Sequence, residues 1–325
     1  MNAKRILYAL VREAGIGVAL VLICIFFMIA APKFASPLNF TNILTQISIN
    51  TVISVGMTFV ILLGGIDLSV GSVLALATIV AGKTIASETL PVWLAIVLAI
   101  LFSIVVSALC GLFNGFVAET WKIHSFIVTL GMLNIARGAA LQISESRTIF
   151  MFPAAFNRFG TKTVLGIPVI FLMALALVLI GSFILSRSVF GRMIYAIGNN
   201  EEAVRLSGHN TALYKVIAFV LCGATVGIAA IMYMLRLNIA SPILGVGFEL
   251  NAIAAVVIGG TSMSGGKGSL IGTFLGACIM GVLNNGLLLI GMGDFARQMV
   301  TGFIIVAAVV LDTYRAKLSI KFQYS

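Results

Sequence analysis

Long apolar segments follow one another along almost the whole chain, and they constrain its fold more than any other feature. A helix that crosses a bilayer needs roughly 17–25 apolar residues, because the hydrocarbon core is about 30 Å thick. The segments that approach this length are 15–31, 43–63, 68–86, 92–118, 125–142, 164–186, 213–235, 248–261, 269–290 and 296–312. The sequence therefore predicts an all-α, polytopic membrane protein with about ten transmembrane helices.

The composition agrees with a chain whose surface faces lipid. Only 9% of the 325 residues are charged, whereas soluble domains carry roughly 25%. The first apolar segment is longer than the roughly 7–15 residues of a signal-peptide core, so we expect it to be retained as a helix. No stretch has the composition of a separate soluble domain. We therefore expect residues 1–325 to form a single transmembrane domain.

The distribution of basic residues predicts the orientation of the chain. With the N-terminus in the cytoplasm, ten spans place the C-terminus and the polar gap 187–212 there as well. Twelve of the 20 lysines and arginines then lie on the cytoplasmic side, which is the side that positive charge favours. They are Lys4, Arg5, Arg12, Lys122, Arg187, Arg192, Arg205, Lys215, Lys267, Arg315, Lys317 and Lys321. The net charge of +10 thus reflects membrane orientation and does not indicate nucleic-acid binding.

The gap 187–212 is the most charged long interruption between two apolar segments. Within it, Glu202 and Ala203 are followed five residues later by Gly208, which predicts a short helix that ends at glycine. Glycine is the residue type that most readily adopts a left-handed helix cap. Glu202 and Arg205 are i,i+3 neighbours of opposite charge and can stabilise such a helix. An organised polar loop in so apolar a chain predicts a docking site for a partner protein.

Motifs for covalent chemistry or metal binding are absent from the sequence. It contains no H-E-x-x-H, no clustered Cys and His set, and no G-x-S-x-G, so we predict no catalytic and no metal-binding residue. The segment GGKGS at 265–269 is close to a phosphate-binding loop, but Thr261 and Gly268 stand where that motif needs glycine and Ser or Thr. If ATP powers this protein, another subunit is expected to bind it.

Two glycine-rich segments interrupt the apolar pattern in a similar way. In GGIDLSVGS (64–72), Asp67 or Ser69 can accept hydrogen bonds from free N–H groups of the next helix. A helix cap, a substrate or gating contact, and a proton-coupling carboxylate at Asp67 all remain open. The second segment, GGTSMSGG (259–266), is either a true repeat or a similar turn. The two segments do not occupy equivalent places in halves of five helices.

Polar side chains also lie within the predicted spans. In the second span Gln46, Asn50 and Thr58 fall on one slowly drifting helix stripe, which should face other helices or water. Interhelical hydrogen bonds explain each residue singly, whereas together they suit a pathway for an uncharged polyol. The candidate pathway or gate residues are Gln46, Asn50, Thr58, Asp67, Ser69, Thr129, Asn134, Asn284 and Asn285. Arg137, Glu249 and Arg297 are expected to reach the membrane interface from span ends.

Four motifs together resemble one family. They are GMTFVILLGGIDLSVGS (56–72), GRMIYAIGNNEEAVRLSGHN (191–210), ELNAIAAVVIGGTSMSGGKGS (249–269) and GVLNNGL (281–287). On these motifs the chain resembles the ribose-type simple-sugar permeases of bacterial ATP-binding-cassette importers. The similarity runs from about residue 40 to residue 312.

The resemblance implies a multi-pass subunit of the bacterial inner membrane and three kinds of partner. A second permease, identical or related, would complete the pore, an ATPase with two fused cassettes would bind ATP, and a periplasmic binding protein would deliver the sugar. The permease itself would hold no cofactor. The resemblance also implies a coupling helix that docks on the ATPase, carried by Gly198, Asn199, Asn200, Glu202, Ala203, Arg205 and Gly208.

Two alternatives remain open at this point. The same importer class could carry a nucleoside, a polyol or a furanone-type signal, because the polar stripe does not distinguish these solutes. A self-sufficient proton-coupled carrier would need a titratable group inside the membrane, and Asp67 is the obvious candidate.

Overall fold

A computed structural model describes the backbone of residues 3–87 and 89–323, and the side chains of residues 13–87 and 89–310. These residues form thirteen helices and four short strands. The helices are α1 Ala3–Ala30, α2 Pro37–Leu62, α3 Val70–Ile85, α4 Val92–Thr120, α5 Ser125–Ser144, α6 Ala154–Gly160, α7 Val169–Arg187, α8 Val189–Asn199, α9 Glu201–Leu206, α10 Thr211–Leu237, α11 Phe248–Ile258, α12 Leu270–Leu289 and α13 Asp294–Gln323. The strands are β1 Ile149–Phe150, β2 Thr163–Val164, β3 Ile167–Pro168 and β4 Ile239–Ala240.

Each of the ten predicted apolar segments overlaps a helix, and the polytopic prediction is confirmed. Among the described residues, seven helices are long and apolar enough to cross a membrane, namely 13–30 of α1 together with α2, α4, α5, α7, α10 and α12. Helices α3 and α11 are shorter, with 16 and 11 residues. Helices α6, α8 and α9 lie in polar gaps, where the sequence predicts no span.

The all-α prediction needs a correction, because the part of the chain that the structure describes contains four short strands. Strand β1 pairs with β4, and β2 pairs with β3, in both cases antiparallel. The hairpin β2–β3 turns through Leu165 and Gly166, both with positive φ, as tight hairpin turns require. This hairpin occupies 163–168, so α7 begins at Val169 and not at the predicted residue 164.

Helix α2 lies at the centre of the bundle. It is less apolar than α4 or α7, yet most of it is buried, whereas only about a quarter of α4 and of α7 is buried. This is the order expected in lipid, because helices facing acyl chains must be apolar all round while interior helices can carry hydroxyl and amide groups. Ser36 starts α2 by accepting a hydrogen bond from the Asn39 N–H, ahead of Pro37.

Helices α4 and α10 pack closely against each other. Each carries a G-x-x-x-G motif, Gly111 and Gly115 on α4 and Gly223 and Gly227 on α10. A methyl group at any of the four would lie within 3.0 Å of the other helix's backbone. Ser103 Oγ also donates to the Gly227 carbonyl oxygen at 2.8 Å. Small residues allow this close approach, so the backbones of α4 and α10 are in direct contact.

A non-helical segment, residues 238–247, returns into the bundle between α10 and α11. Ala240 lies beside Gly82 near the end of α3, and Gly245 lies beside Gly71 near its start. The segment therefore runs antiparallel to α3, and α11 begins deep within the bundle. Non-helical backbone at such depth is tolerated only when protein or a water-filled cavity surrounds it.

Arg137 and Glu249 hold this segment, so the prediction that both reach the membrane interface is wrong. Arg137 Nη1 donates to the carbonyl oxygens of Pro242 and, at 2.8 Å, Leu244. The Gly247 N–H donates to Glu249 Oε1 at 3.2 Å. The third residue of that prediction, Arg297, pairs with Asp294 in the first turn of α13.

The two ends of the bundle differ in character. One end, called here the α9 end, carries α8, α9 and the turns at 63–69 and 259–269, and the opposite end carries α6 and the strands. The orientation argument counts Lys4, Arg5, Arg12, Arg315, Lys317 and Lys321, whose side chains lie outside the described residues. The orientation therefore stays a prediction.

Candidate functional site

Three segments meet in a backbone contact at the α9 end, which we call the glycine junction (Leu62, Gly64, Gly198, Gly265 and Gly266). The Gly266 N–H donates to the Leu62 carbonyl oxygen at 2.8 Å. A Cβ on Gly198 would lie within 3.0 Å of both of these atoms, closer than Cβ atoms approach other groups in proteins. Gly64, Gly265 and Gly266 have φ of 77°, 85° and 72°, which favours glycine at each.

Helix α8 is held on this junction by two further side chains. The Tyr195 hydroxyl donates to the Gly268 carbonyl oxygen at 2.9 Å. Asn199 Nδ2 donates to the Gly266 carbonyl oxygen at 3.3 Å and to the Tyr195 carbonyl oxygen at 2.7 Å. The two glycine-rich segments of the sequence therefore meet in space and share α8 as a neighbour, although they occupy different places in the chain.

Helix α9 has the predicted geometry. Asn200 Oδ1 accepts a hydrogen bond from the Ala203 N–H at 3.0 Å and caps the helix start. Glu202 and Arg205 form an ion pair at 2.7 Å. Gly208 follows the helix with φ of 84°, which confirms the left-handed turn. The predicted coupling residues thus lie on one compact element that runs from the end of α8 to Gly208.

One side of α9 is open to solvent, and we call it the docking face (Glu202, Ala203, Arg205 and Leu206). Leu206 is 77% exposed beside the Glu202–Arg205 ion pair of the same helix. An apolar group with charged neighbours is the arrangement that protein interfaces use, with an apolar centre and a polar rim. The docking face can therefore contact a partner without any rearrangement of α9.

The other side of α9 carries an ion-pair network that sequence reasoning missed. Lys215 Nζ on α10 lies 2.7 Å from Glu201 Oε2 on α9 and 3.1 Å from Glu119 Oε1 on α4. Thr211 Oγ1 donates to Glu201 Oε1 at 3.2 Å. Partial burial by itself would raise the pKa of Glu201, but the hydrogen bond and charge of Lys215 outweigh it and hold that pKa below its usual range. Glu201 is therefore ionised at neutral pH.

Three predicted pathway residues, Asp67, Ser69 and Thr129, come together near the start of α3. Asp67 is 2% exposed, and its Oδ1 accepts from the Ser69 N–H at 2.9 Å and the Ser69 hydroxyl at 2.6 Å. The Leu68 N–H donates to Thr129 Oγ1 at 3.1 Å. Asn114 of α4, which the sequence did not single out, donates to Ser69 Oγ at 3.0 Å. Asp67 thus closes its own turn rather than capping α3.

Replacing Asp67 by alanine should lower stability. The change leaves the buried N–H and hydroxyl of Ser69 without their acceptor, at about 1–3 kcal/mol for each buried group left unsatisfied. We expect a lower thermal midpoint in detergent, measured by size-exclusion chromatography of heated samples. Asp67→Asn retains one acceptor oxygen, so its thermal midpoint should lie between those of Asp67→Ala and the unmodified protein. Asn134→Ala is the control, since Asn134 is exposed and donates only within its own helix. Equal midpoints for Asp67→Ala and the unmodified protein would contradict this role.

The remaining candidates do not join this cluster. Thr58 shares a 2.9 Å hydrogen bond with Thr273, and Asn285 exchanges hydrogen bonds of 2.9 and 3.0 Å with Asn39, so both residues bind neighbouring elements of the bundle. The side chains of Gln46, Asn50 and Asn284 are half-buried and make no hydrogen bond within the part of the chain described. Residue spacing predicts a stripe on one helix, but it does not determine which neighbour that stripe faces.

A polar cavity of about 310 Å³ separates the glycine junction from the ion-pair network. Gly64, Gly65, Lys122, His124 and Ser125 contribute to its wall. Among the described residues, no group of three or more His, Cys, Asp and Glu side chains is arranged to hold a metal ion.

Seven long apolar helices define the class, a multi-pass membrane protein, and the short polar helix α9 lies between two of them. The chain belongs to the family described as branched-chain amino acid transport system / permease component, whose model matches residues 39–309. It is a multi-pass protein of the bacterial inner membrane.

Relatives extend over nearly the whole chain. It is 41% identical to the ribose import permease protein of Haemophilus influenzae over 310 residues, which cover 94% of each chain. It is also 41% identical to the ribose import permease protein of Bacillus subtilis, over 95% of each chain. The D-allose transport system permease protein of Escherichia coli is 35% identical over 91% of this chain and 90% of its own. No solved structure matches the chain.

Proposed function

We propose that this chain is the membrane-spanning subunit of an ATP-driven importer that carries a simple sugar of the ribose kind. The observation that carries the proposal is the 41% identity to ribose import permeases over at least 94% of the chain. Relatives named for D-allose and L-arabinose, at 35% and 34% identity, support a sugar more broadly. The family description names branched-chain amino acids, but these full-length relatives are all named for sugars.

A permease of this class works with an ATPase and a periplasmic binding protein. We propose that the ATPase has two fused cassettes and binds the ATP, so that the permease holds no cofactor and performs no covalent chemistry. A second permease, identical or related, completes the pore. In this arrangement the docking face of α9 contacts the ATPase, with Leu206 at its centre.

The proposed topology has ten spans in one domain, residues 1–325, with both termini and the α9 end in the cytoplasm. The short helices α3 and α11 are counted as spans because non-helical segments, 63–69 and 238–247, continue their paths through the bundle. The excess of basic residues on the cytoplasmic side supports this orientation.

The proposed mechanism converts docking into movement of the gate. Closure of the ATPase around ATP would pull α9, and Gly198, Asn199 and Asn200 would pass that movement to the glycine junction. Because the junction joins the end of α2 to the turn before α12, its displacement would shift both helices. A small shift at a packed junction can change a bundle between two discrete arrangements. Candidate residues along the sugar path are Gln46, Asn50, Thr58, Asp67, Ser69, Thr129, Asn134, Asn284 and Asn285.

The test combines purification with reconstitution. From native membranes, the tagged chain should co-purify with a double-cassette ATPase. In liposomes that contain this complex and the binding protein, ribose uptake should require ATP and should not respond to a protonophore. Uptake by the isolated chain without ATP, abolished by the protonophore and by Asp67→Asn, would contradict the proposal and establish a proton-coupled carrier. ATP-driven uptake of a nucleoside or polyol in place of ribose would contradict the sugar assignment alone.

A further inference from the structure

We propose that Lys215 anchors the coupling helix α9 to the α4–α10 pair, and that this anchor transmits ATP-driven movement of α9 into the membrane. The inference rests on the proposed function, because it describes how the docking helix of an importer would act on its own bundle. It adds a second route of transmission beside the glycine junction.

The anchor is an ammonium group held between two carboxylates from different helices. Lys215 Nζ lies 2.7 Å from Glu201 Oε2 and 3.1 Å from Glu119 Oε1. Only 18% of the Lys215 side chain and 14% of the Glu119 side chain are exposed. Such shielding from water makes the Lys215–Glu119 contact stronger than a surface ion pair, whereas on the α9 side 42% of the Glu201 side chain is exposed. The contact therefore joins α9, α10 and α4 at one point.

Apolar packing does not hold α9 in place. None of its six residues is fully buried, and Val204 is the one apolar side chain of the helix that is half-buried. The polar cavity of about 310 Å³ between the glycine junction and the network leaves room beside α9. Side-chain hydrogen bonds instead connect α9 to α10, the spanning helix that follows it. Glu201 accepts them from Thr211 and Lys215.

Charge makes the anchor sensitive to the loss of Lys215. Without the ammonium group, the carboxylates of Glu119 and Glu201 would face each other across the position it occupies. Among the described side chains, the exposed Lys122 also pairs with Glu119, at 3.5 Å. Like charges repel, and partial burial strengthens the repulsion. Loss of Lys215 should therefore release α9 from α4 and push the two elements apart.

The α4–α10 pair is well suited to receive this movement. The glycines of the two helices bring their backbones into contact over at least three turns, so a displacement at Lys215 should move both helices together. Asn114 of α4 contacts Ser69 at the start of α3. A path of direct contacts thus leads from Glu201 through α4 to the buried cluster at Asp67.

The anchor and the docking face lie on different sides of α9, so one experiment separates them. Lys215→Met should retain co-purification of the ATPase, because the docking face is unchanged. ATP-driven uptake in proteoliposomes should fall at least about ten-fold, since losing an allosteric coupling of 1–3 kcal/mol changes a linked process by this order. Stimulation of ATP hydrolysis by the loaded binding protein should fall with it. Lys215→Arg retains a donor to both carboxylates and should restore most of the uptake.

Three further variants test whether Lys215 acts through Glu201. Lys122→Met removes a lysine from the exposed edge of the same network and should leave uptake within about two-fold of the unmodified protein. Glu201→Gln should reduce uptake, and adding it to Lys215→Met should cause little further loss, because the two residues form one contact. Normal uptake in Lys215→Met at normal membrane levels would overturn the proposal. Loss of ATPase binding in that variant would also overturn it, whereas absence of an ATPase from the unmodified protein would contradict the proposed function instead.

Discussion

Gly198→Ala should reduce uptake at least about ten-fold even though it adds a single methyl group. The new Cβ would lie within 3.0 Å of the Leu62 carbonyl oxygen and the Gly266 nitrogen, and neither backbone atom can rotate away. Forcing a methyl group into packed structure typically costs about 1–3 kcal/mol, and here it also separates the two segments that α8 joins. We expect uptake below about 10% of the unmodified level, measured as ATP-driven sugar accumulation in proteoliposomes.

Gly131→Ala provides the matched control for this result. Gly131 also lies within a helix, but apart from its chain neighbours and the backbone of its own helix no atom lies within 4 Å of the position its Cβ would take. Alanine favours helix more than glycine does, so this variant should transport normally and be at least as stable. Full uptake by Gly198→Ala would show that the glycine junction can separate without functional loss, and it would remove the junction from the proposed mechanism.

Glu202→Lys should separate the permease from its ATPase. The change reverses a charge on the docking face, where 59% of the Glu202 side chain is exposed. Charge reversal at an interface can cost several kcal/mol, so we expect at least a ten-fold loss of both ATPase co-purification and uptake, on the order that such repulsion produces. The amount of permease in the membrane should not change, because an exposed ion pair contributes little to folding.

Two variants test whether the loss of ATPase binding and uptake in Glu202→Lys is caused by the change at the docking face. Glu145→Lys makes the same charge change at an exposed residue of the opposite end and should leave both measurements unchanged. Gly208→Pro disturbs α9 through its backbone, because proline cannot adopt the φ of 84° found there, and it should reproduce the loss. Normal ATPase binding by Glu202→Lys would place the docking site elsewhere on the α9 end.

Local features of the chain could be predicted because they depend on residues close together in sequence. Apolar segments of sufficient length predict helices in lipid without reference to their neighbours. The helix α9 was predictable for a similar reason, since its cap at Asn200, its ion pair between Glu202 and Arg205 and its turn at Gly208 all lie within one short stretch. The β2–β3 hairpin was missed because its apolar residues continue the pattern of α7.

Contacts between distant segments could be decided only by the tertiary structure. The stripe of Gln46, Asn50 and Thr58 was visible, but only the packing shows that Thr58 meets Thr273 while the other two bind no partner side chain in the described residues. Asn39 and Asn285 pair for the same reason, although 246 positions separate them in the chain.

The α9 end shows most clearly which features the sequence predicts and which depend on the tertiary structure. The sequence by itself determined that a short polar helix in the gap 187–212 carries Glu202 and Arg205. Only the tertiary structure decided that Glu201, its direct neighbour, faces inward to Lys215 and Glu119, and that Gly198 touches two turns from opposite halves of the chain. The physical reason is that helix formation depends on local backbone hydrogen bonds, whereas the neighbours of each helix depend on how all the helices pack together.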